Sequence, residues 1–287
     1  MRKDLPYSFS LPSSWNEGCH QDKVPVVKAS RPFSILHAAK SDKAVLLVHG
    51  FTGYPGELTR PAEDLFDKGH DVFVPRLPGH GTCGKDFLAS SHNDWIKAAD
   101  NAVTDLLSRY REVSVVGHSM GGAIAAILME RHSDIKRGVL CCPGIEIGFL
   151  DEKTVKALSF ISRFIKKMKK EWHSDERYHL HYEDAPGDDL YLGKEYWSHT
   201  YTRQVLSLKA IGDEAKRDLG KIKSPVLIIG GEKDELIPAS SLSSIKDRIG
   251  DNTSLHIVPQ GVHYIYYDIT PEAEEEAVEA TISFLDA

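Results

Sequence analysis

A serine, a carboxylate and a histidine, each placed just after an apolar run, are the residues of this chain best suited to chemistry. Ser119 lies in Val115-Val116-Gly117-His118-Ser119-Met120-Gly121-Gly122, which leads into Ala123-Ile124-Ala125-Ala126-Ile127-Leu128-Met129. A short strand followed by Gly-x-Ser-x-Gly and a helix former places the serine on a sharp turn. Glycines at 117 and 121 relieve the crowding, so the hydroxyl stands clear of the sheet edge. The helix that follows aims its free N–H groups at any negative charge that develops there. A serine hydroxyl is a poor nucleophile unless a base takes its proton and a third group orients that base.

The partners are sought later in the chain, after late strands. Gly230-Gly231-Glu232-Lys233-Asp234-Glu235-Leu236-Ile237-Pro238 follows the apolar run 226–229, and Gln260-Gly261-Val262-His263-Tyr264 follows the run 254–258. Glu232, Asp234 and Glu235 share one turn, and Asp234, ahead of Pro238, is the acid of choice. Of fourteen histidines, His263 is the base of choice. His256 lies within a strand and reads as a satisfied histidine, while His49 and His118 flank the loops without bridging serine and acid. Serine, acid, histidine is one of three known chain orders for such a triad. An oxyanion hole needs two backbone donors. The Met120 N–H is one, and the Phe51 N–H in His49-Gly50-Phe51-Thr52-Gly53 is the other.

These residues need a scaffold. Runs at 33–36, 44–48, 72–74, 113–116 and 138–142 are separated by helical segments near 61–68, 93–110 and 121–132. Several runs are continuously apolar, as in parallel strands covered on both faces. The alternation predicts a mostly parallel, doubly wound α/β sheet. The rhythm breaks over residues 145–210, where no strand is evident. There Val155, Leu158, Ile161, Ile165, Met168 and Trp172 predict an amphipathic helix. On it Lys166, Lys167, Lys169 and Lys170 form a solvated face, with weak interfacial contact as the lesser reading. Strands return at 226–229 and 254–258, and a helix closes the chain over 271–285. The expected division is thus a core of residues 1–144 and 211–287 with a cap insertion, 145–210, too long for an ordinary connection.

Composition narrows the function. A formal charge of −7 in 287 residues argues against a nucleic-acid partner. Cys19, Cys83, Cys141 and Cys142 show no metal spacing and suit a reducing compartment, with Cys141 and Cys142 as buried thiols. Residues 1–30 have no apolar core segment, and no run approaches the ~18 residues of a membrane span, so the cytoplasm is the expected location. The tyrosines at 178, 182, 191, 196 and 201, with Trp197, read as cap packing, some of them as pocket lining. Arg76-Leu77-Pro78-Gly79-His80-Gly81 reads as a shape device beside the nucleophile.

Taken together, His49-Gly50-Phe51-Thr52-Gly53, Arg76 to Gly81, Gly117 to Gly122, the Asp234 turn and Gly261-Val262-His263 resemble the α/β-hydrolase superfamily. Within it they are most similar to bacterial carboxylesterases and monoacylglycerol lipases, the serine aminopeptidase-like group. The resemblance covers 33–143 and 220–285 and implies ester hydrolysis by Ser119, Asp234 and His263, with a small-molecule ester as partner and neither metal nor organic cofactor. The same triad serves thioesterases, peptidases and carbon–carbon hydrolases, and a ligand receptor on a retained fold is a further alternative. Dehalogenase and epoxide hydrolase readings fail, since both need a carboxylate where Ser119 stands.

Overall fold

The computed structural model describes residues 1–173, 187–267 and 269–287, and of Asp189 the backbone alone. Ten strands are described: β1 (Tyr7–Ser8), β2 (Phe33–Ile35), β3 (Lys43–Val48), β4 (Asp71–Val74), β5 (Glu112–His118), β6 (Gly138–Cys141), β7 (Lys167–Lys169), β8 (His199–Tyr201), β9 (Val226–Gly231) and β10 (Thr253–Val258). Eight form one sheet in the order β1-β2-β4-β3-β5-β6-β9-β10. From β4 to β10 every pairing is parallel, and the edge strands β1 and β2 run antiparallel.

The continuously apolar runs behave as their composition requires. In β3, Ala44 through Val48 are all buried, because helices cover both faces. The helices among the described residues are α1 (Thr59–Asp67), α2 (Gly84–Ala89), α3 (His92–Arg109), α4 (Met120–Arg131), α5 (Glu152–Ile161), α6 (Asp188–Leu192), α7 (Thr202–Asp218), α8 (Ala239–Ile249) and α9 (Pro271–Asp286), of which α1, α3, α4, α8 and α9 pack on the sheet. Helix α4 is buried on all sides from Met120 to Met129, enclosed by β5, β6 and α7. An all-round apolar helix needs such a position. Helix α3 starts on a capping box in which Ser91 and Asp94 satisfy each other's backbone N–H groups. Helix α9 opens on Pro271 with Glu272 and Glu274 in its first turn, where the helix dipole favours them.

Residues 1–30, which the sequence leaves unplaced, lie along the sheet edge and over the 76–81 loop. Trp15 is buried against Phe73, and its Nε1–H donates to Asp105 at 2.9 Å. Asp22 pairs with Arg76 at 2.6 Å and accepts the Gly79 N–H at 2.9 Å. The Val27 N–H donates to the Gly81 carbonyl. The shape device at 76–81 is thus held from outside by this arm.

The expected helix over 155–172 is half right. Helix α5 ends at Ile161, and Lys167–Lys169 is a strand, β7, paired antiparallel with β8. The expectation of no strand between 145 and 210 is corrected with it. Continuing the helix would set Lys166, Lys167, Lys169 and Lys170 at three- and four-residue spacings on one surface, where like charges repel. Extended backbone spreads them, and β8 supplies hydrogen-bond partners. The expected cap tyrosines at 178 and 182 lie outside the described residues. Tyr191 and Tyr196 reach the 76–82 loop: the Tyr196 hydroxyl donates to the Gly79 carbonyl at 3.0 Å and accepts the Thr82 N–H at 2.9 Å.

Candidate active site

Ser119 is the first residue after β5 and the N-cap of α4, with φ of 54°. For a non-glycine residue that left-handed conformation is costly and is held only where the surroundings fix it. Here they do. The Ser119 N–H donates to the Cys141 carbonyl at 2.9 Å, and its own carbonyl accepts from Gly122 and Gly144 at 2.9 and 2.8 Å. A Cβ at Gly121 would collide with the Val48 carbonyl, and one at Gly117 with the Gly121 carbonyl, so both glycines are needed for the turn to close.

The structure brings the three predicted side chains together. His263 Nε2 lies 2.9 Å from Ser119 Oγ, and His263 Nδ1 lies 2.8 Å from Asp234 Oδ2. The other Asp234 oxygen, Oδ1, accepts the backbone N–H groups of Leu236 and Ile237 at 2.8 and 3.0 Å. Burial raises the Asp234 pKa, but the His263 contact and those two amides outweigh it and hold the carboxyl below its usual range. A carboxylate at Nδ1 keeps the proton there and leaves Nε2 free to accept from serine. The competing acids go elsewhere. Glu232 accepts the Gln260 N–H at 3.0 Å, and Glu235 is exposed. His256 pairs with Glu276 of α9 at 2.8 Å.

The N–H of Phe51, the expected second oxyanion donor, is oriented by a histidine whose use the sequence did not reveal. The Gly50 carbonyl accepts from the Gly53 N–H at 3.1 Å and from His49 Nδ1 at 3.0 Å. Because the peptide is trans, fixing that carbonyl fixes the Phe51 N–H in the opposite direction. His49 Nε2 accepts the Leu77 N–H at 3.1 Å, which settles its tautomer with the proton on Nδ1. Full burial lowers its pKa to about 4, so the ring stays neutral. His118 acts similarly on the opposite loop: its Nε2–H donates to the His263 carbonyl at 2.8 Å, tying the 260–264 loop to the end of β5. Burial, then the nearby His263, lowers its pKa to about 3. Neither ring bridges serine and acid, as the sequence suggested. Both position backbone instead.

Glu57 is a further buried group with no signal in the sequence beyond its place after Pro55-Gly56. Its carboxyl fills the space that a Cβ on Gly53 would need, so Gly53 is small for Glu57 as much as for the curl of the loop. Burial raises its pKa to about 8, against the opposing contacts of Tyr267 and of the Gly50 and Tyr54 backbone. The carboxyl thus joins the 50–57 loop to Tyr267, four residues past His263. An acid whose folded pKa exceeds its unfolded value of about 4.5 stabilises the fold most below that value. The contribution is lost as pH rises through about 8. Glu57→Gln keeps the shape and removes the ionisation. Its melting temperature relative to the parent protein therefore rises between pH 5 and pH 9, by scanning calorimetry. A parallel pair of melting curves across that range contradicts the assignment.

This architecture, a mostly parallel sheet with a serine on the β5–α4 turn, defines the α/β-hydrolase fold. The sequence model of the family described as serine aminopeptidase, S33, matches residues 39–270, and the chain belongs to that family. It is similar to a thermostable monoacylglycerol lipase of Bacillus sp. (strain H-257), 27% identical over 78% of this chain and 82% of the relative. A carboxylesterase of Bacillus subtilis (strain 168) is 24% identical over 79% of this chain and 87% of its own length. Among solved structures, a metagenome-derived lipolytic enzyme superposes with a TM-score of 0.77 at 23% identity, covering 91% of this chain and 99% of the other. The monoacylglycerol lipase of Paleococcus ferrophilus gives 0.66 at 19% identity, covering 85% and 93%. At these identities the structural likeness speaks to the fold alone.

Proposed function

We propose that the protein is a carboxylic ester hydrolase working through an acyl-enzyme on Ser119. The observation that carries this is the continuous hydrogen-bonded chain from Ser119 Oγ through both nitrogens of His263 to Asp234, at 2.9 and 2.8 Å. His263 Nε2 takes the hydroxyl proton as Ser119 Oγ attacks the ester carbonyl. The Phe51 and Met120 N–H groups receive the oxyanion. His263 returns the proton to the departing alcohol, leaving the acyl group on Ser119. A water molecule, deprotonated by the same nitrogen, then releases the acid. Asp234 holds the imidazole in the accepting tautomer and balances its charge.

The relatives named monoacylglycerol lipase and carboxylesterase support carboxylic esters, monoacylglycerols among them, as substrates, and we take the acyl chain to be short to medium in length. Residues 145–210, read as a cap, set that choice. Among the described residues no helix is long and apolar enough to cross a membrane. A panel of p-nitrophenyl esters and monoacylglycerols of graded acyl length, run beside acyl-thioesters and aminoacyl amides, tests the reading. Esters are expected to give kcat/KM at least about a hundredfold above the amides and thioesters. A thioester or amide that outpaces every ester overturns the substrate class and leaves the triad in place.

A further inference from the structure

From residue 153 through 170 the chain carries seven Lys or Arg and no Asp or Glu, in a protein whose formal charge is −7. The fold turns this stretch outward. Helix α5 buries Leu158 and leans on α7, while its last turn and the following loop present Phe160, Phe164 and Ile165, which are 63%, 75% and 46% exposed. The two phenyl rings meet edge to face with centroids 5.7 Å apart, one helical turn apart in sequence. Arg163, Lys166, Lys167, Lys169 and Lys170 are exposed around them. Because β7 is extended, Lys167 and Lys169 project from the same face of the strand and Met168 from the other. The helix that would have put these lysines on a separate, purely solvated face does not exist.

We propose that this surface docks the protein on anionic lipid bilayers. Contiguous exposed aromatic and aliphatic side chains rimmed by cations mark an interaction site rather than ordinary surface. Phenyl rings and an isoleucine suit the boundary between headgroups and acyl chains, and lysine and arginine suit lipid phosphates. The rest of the chain is more acidic than the whole, so on average a negative surface repels the remainder and attracts this stretch. The charge imbalance therefore sets orientation as well as attraction. Docking here is independent of which bond Ser119 attacks. It places residues 149–170, part of the region read as the cap, at the lipid surface.

The test is co-sedimentation of the full chain with vesicles of phosphatidylcholine alone or of phosphatidylcholine with phosphatidylglycerol. Binding to the anionic vesicles is expected to exceed that to the neutral ones by about tenfold or more, and to collapse at high salt. Phe160→Ser with Phe164→Ser, and separately Lys167→Glu with Lys169→Glu, each lower it about tenfold. Both leave the melting temperature and hydrolysis of a water-soluble short-chain ester unchanged. Equal binding to the two vesicle types, or no binding at low salt, overturns the proposal without touching the esterase reading. So do folded variants that bind as the parent does, as they would if the patch served a protein partner.

Discussion

Ser119→Ala lowers kcat for ester hydrolysis by roughly 10⁴- to 10⁶-fold, the range seen when a triad serine is lost elsewhere. The size of the effect follows from the site. In the proposed mechanism the hydroxyl oxygen, 2.9 Å from His263 Nε2, forms the covalent bond, and alanine leaves nothing to replace it. The loss is confined to chemistry. The left-handed turn at residue 119 is held by backbone hydrogen bonds to Cys141, Gly122 and Gly144, none of which uses the side chain. The melting temperature therefore stays within a degree or two of the parent, and substrate still binds. Some rate above water remains, because the Phe51 and Met120 donors survive. Steady-state kinetics beside a melting curve measures both halves. A variant that keeps a tenth of the parental rate removes Ser119 from the mechanism.

Asp234→Asn costs about 10⁴-fold in kcat with little change in KM. An asparagine here has no freedom to choose its orientation. The two amides of Leu236 and Ile237 donate to the position of Oδ1, so the carboxamide oxygen is held there. Its NH₂ group must then face His263 Nδ1 at the place of Oδ2. A donor at that nitrogen drives the proton to Nε2, the wrong tautomer to accept from serine. Fold and substrate binding are preserved while the base is disabled. The rate should recover in part at high pH, where hydroxide or serine ionisation bypasses the base. A loss below tenfold would show that the histidine needs no acid to hold its tautomer.

Much of this was legible in the sequence because it depends on order along the chain. Parallel strands place their following loops at one sheet edge, so a residue just after a strand is placed by topology. Ser119, Asp234 and His263 each satisfy that condition, and the apolar runs before them are unambiguous. What the sequence hid depends on contact between distant segments. The tautomer of His49 is set by the Leu77 N–H, and His118 donates to the His263 carbonyl, both backbone atoms of other loops. Glu57 looks like any surface glutamate until the fold encloses it. Over 155–172 the apolar spacing fits a helix throughout, but past Ile161 charge repulsion and pairing with β8 decide the outcome. The arm at 1–30 has no periodicity to read, and its place comes from single anchors such as Trp15 and Asp22.

If Ser119 is an activated nucleophile, a covalent phosphonylating reagent will trap it. The protein is treated with a fluorophosphonate, its intact mass is measured, and the modified peptide is mapped. A single adduct on Ser119 is expected, formed rapidly in the parent and in neither Ser119→Ala nor, at comparable rate, His263→Ala. An unmodified parent protein, or an adduct on another residue that tracks the loss of activity, contradicts it.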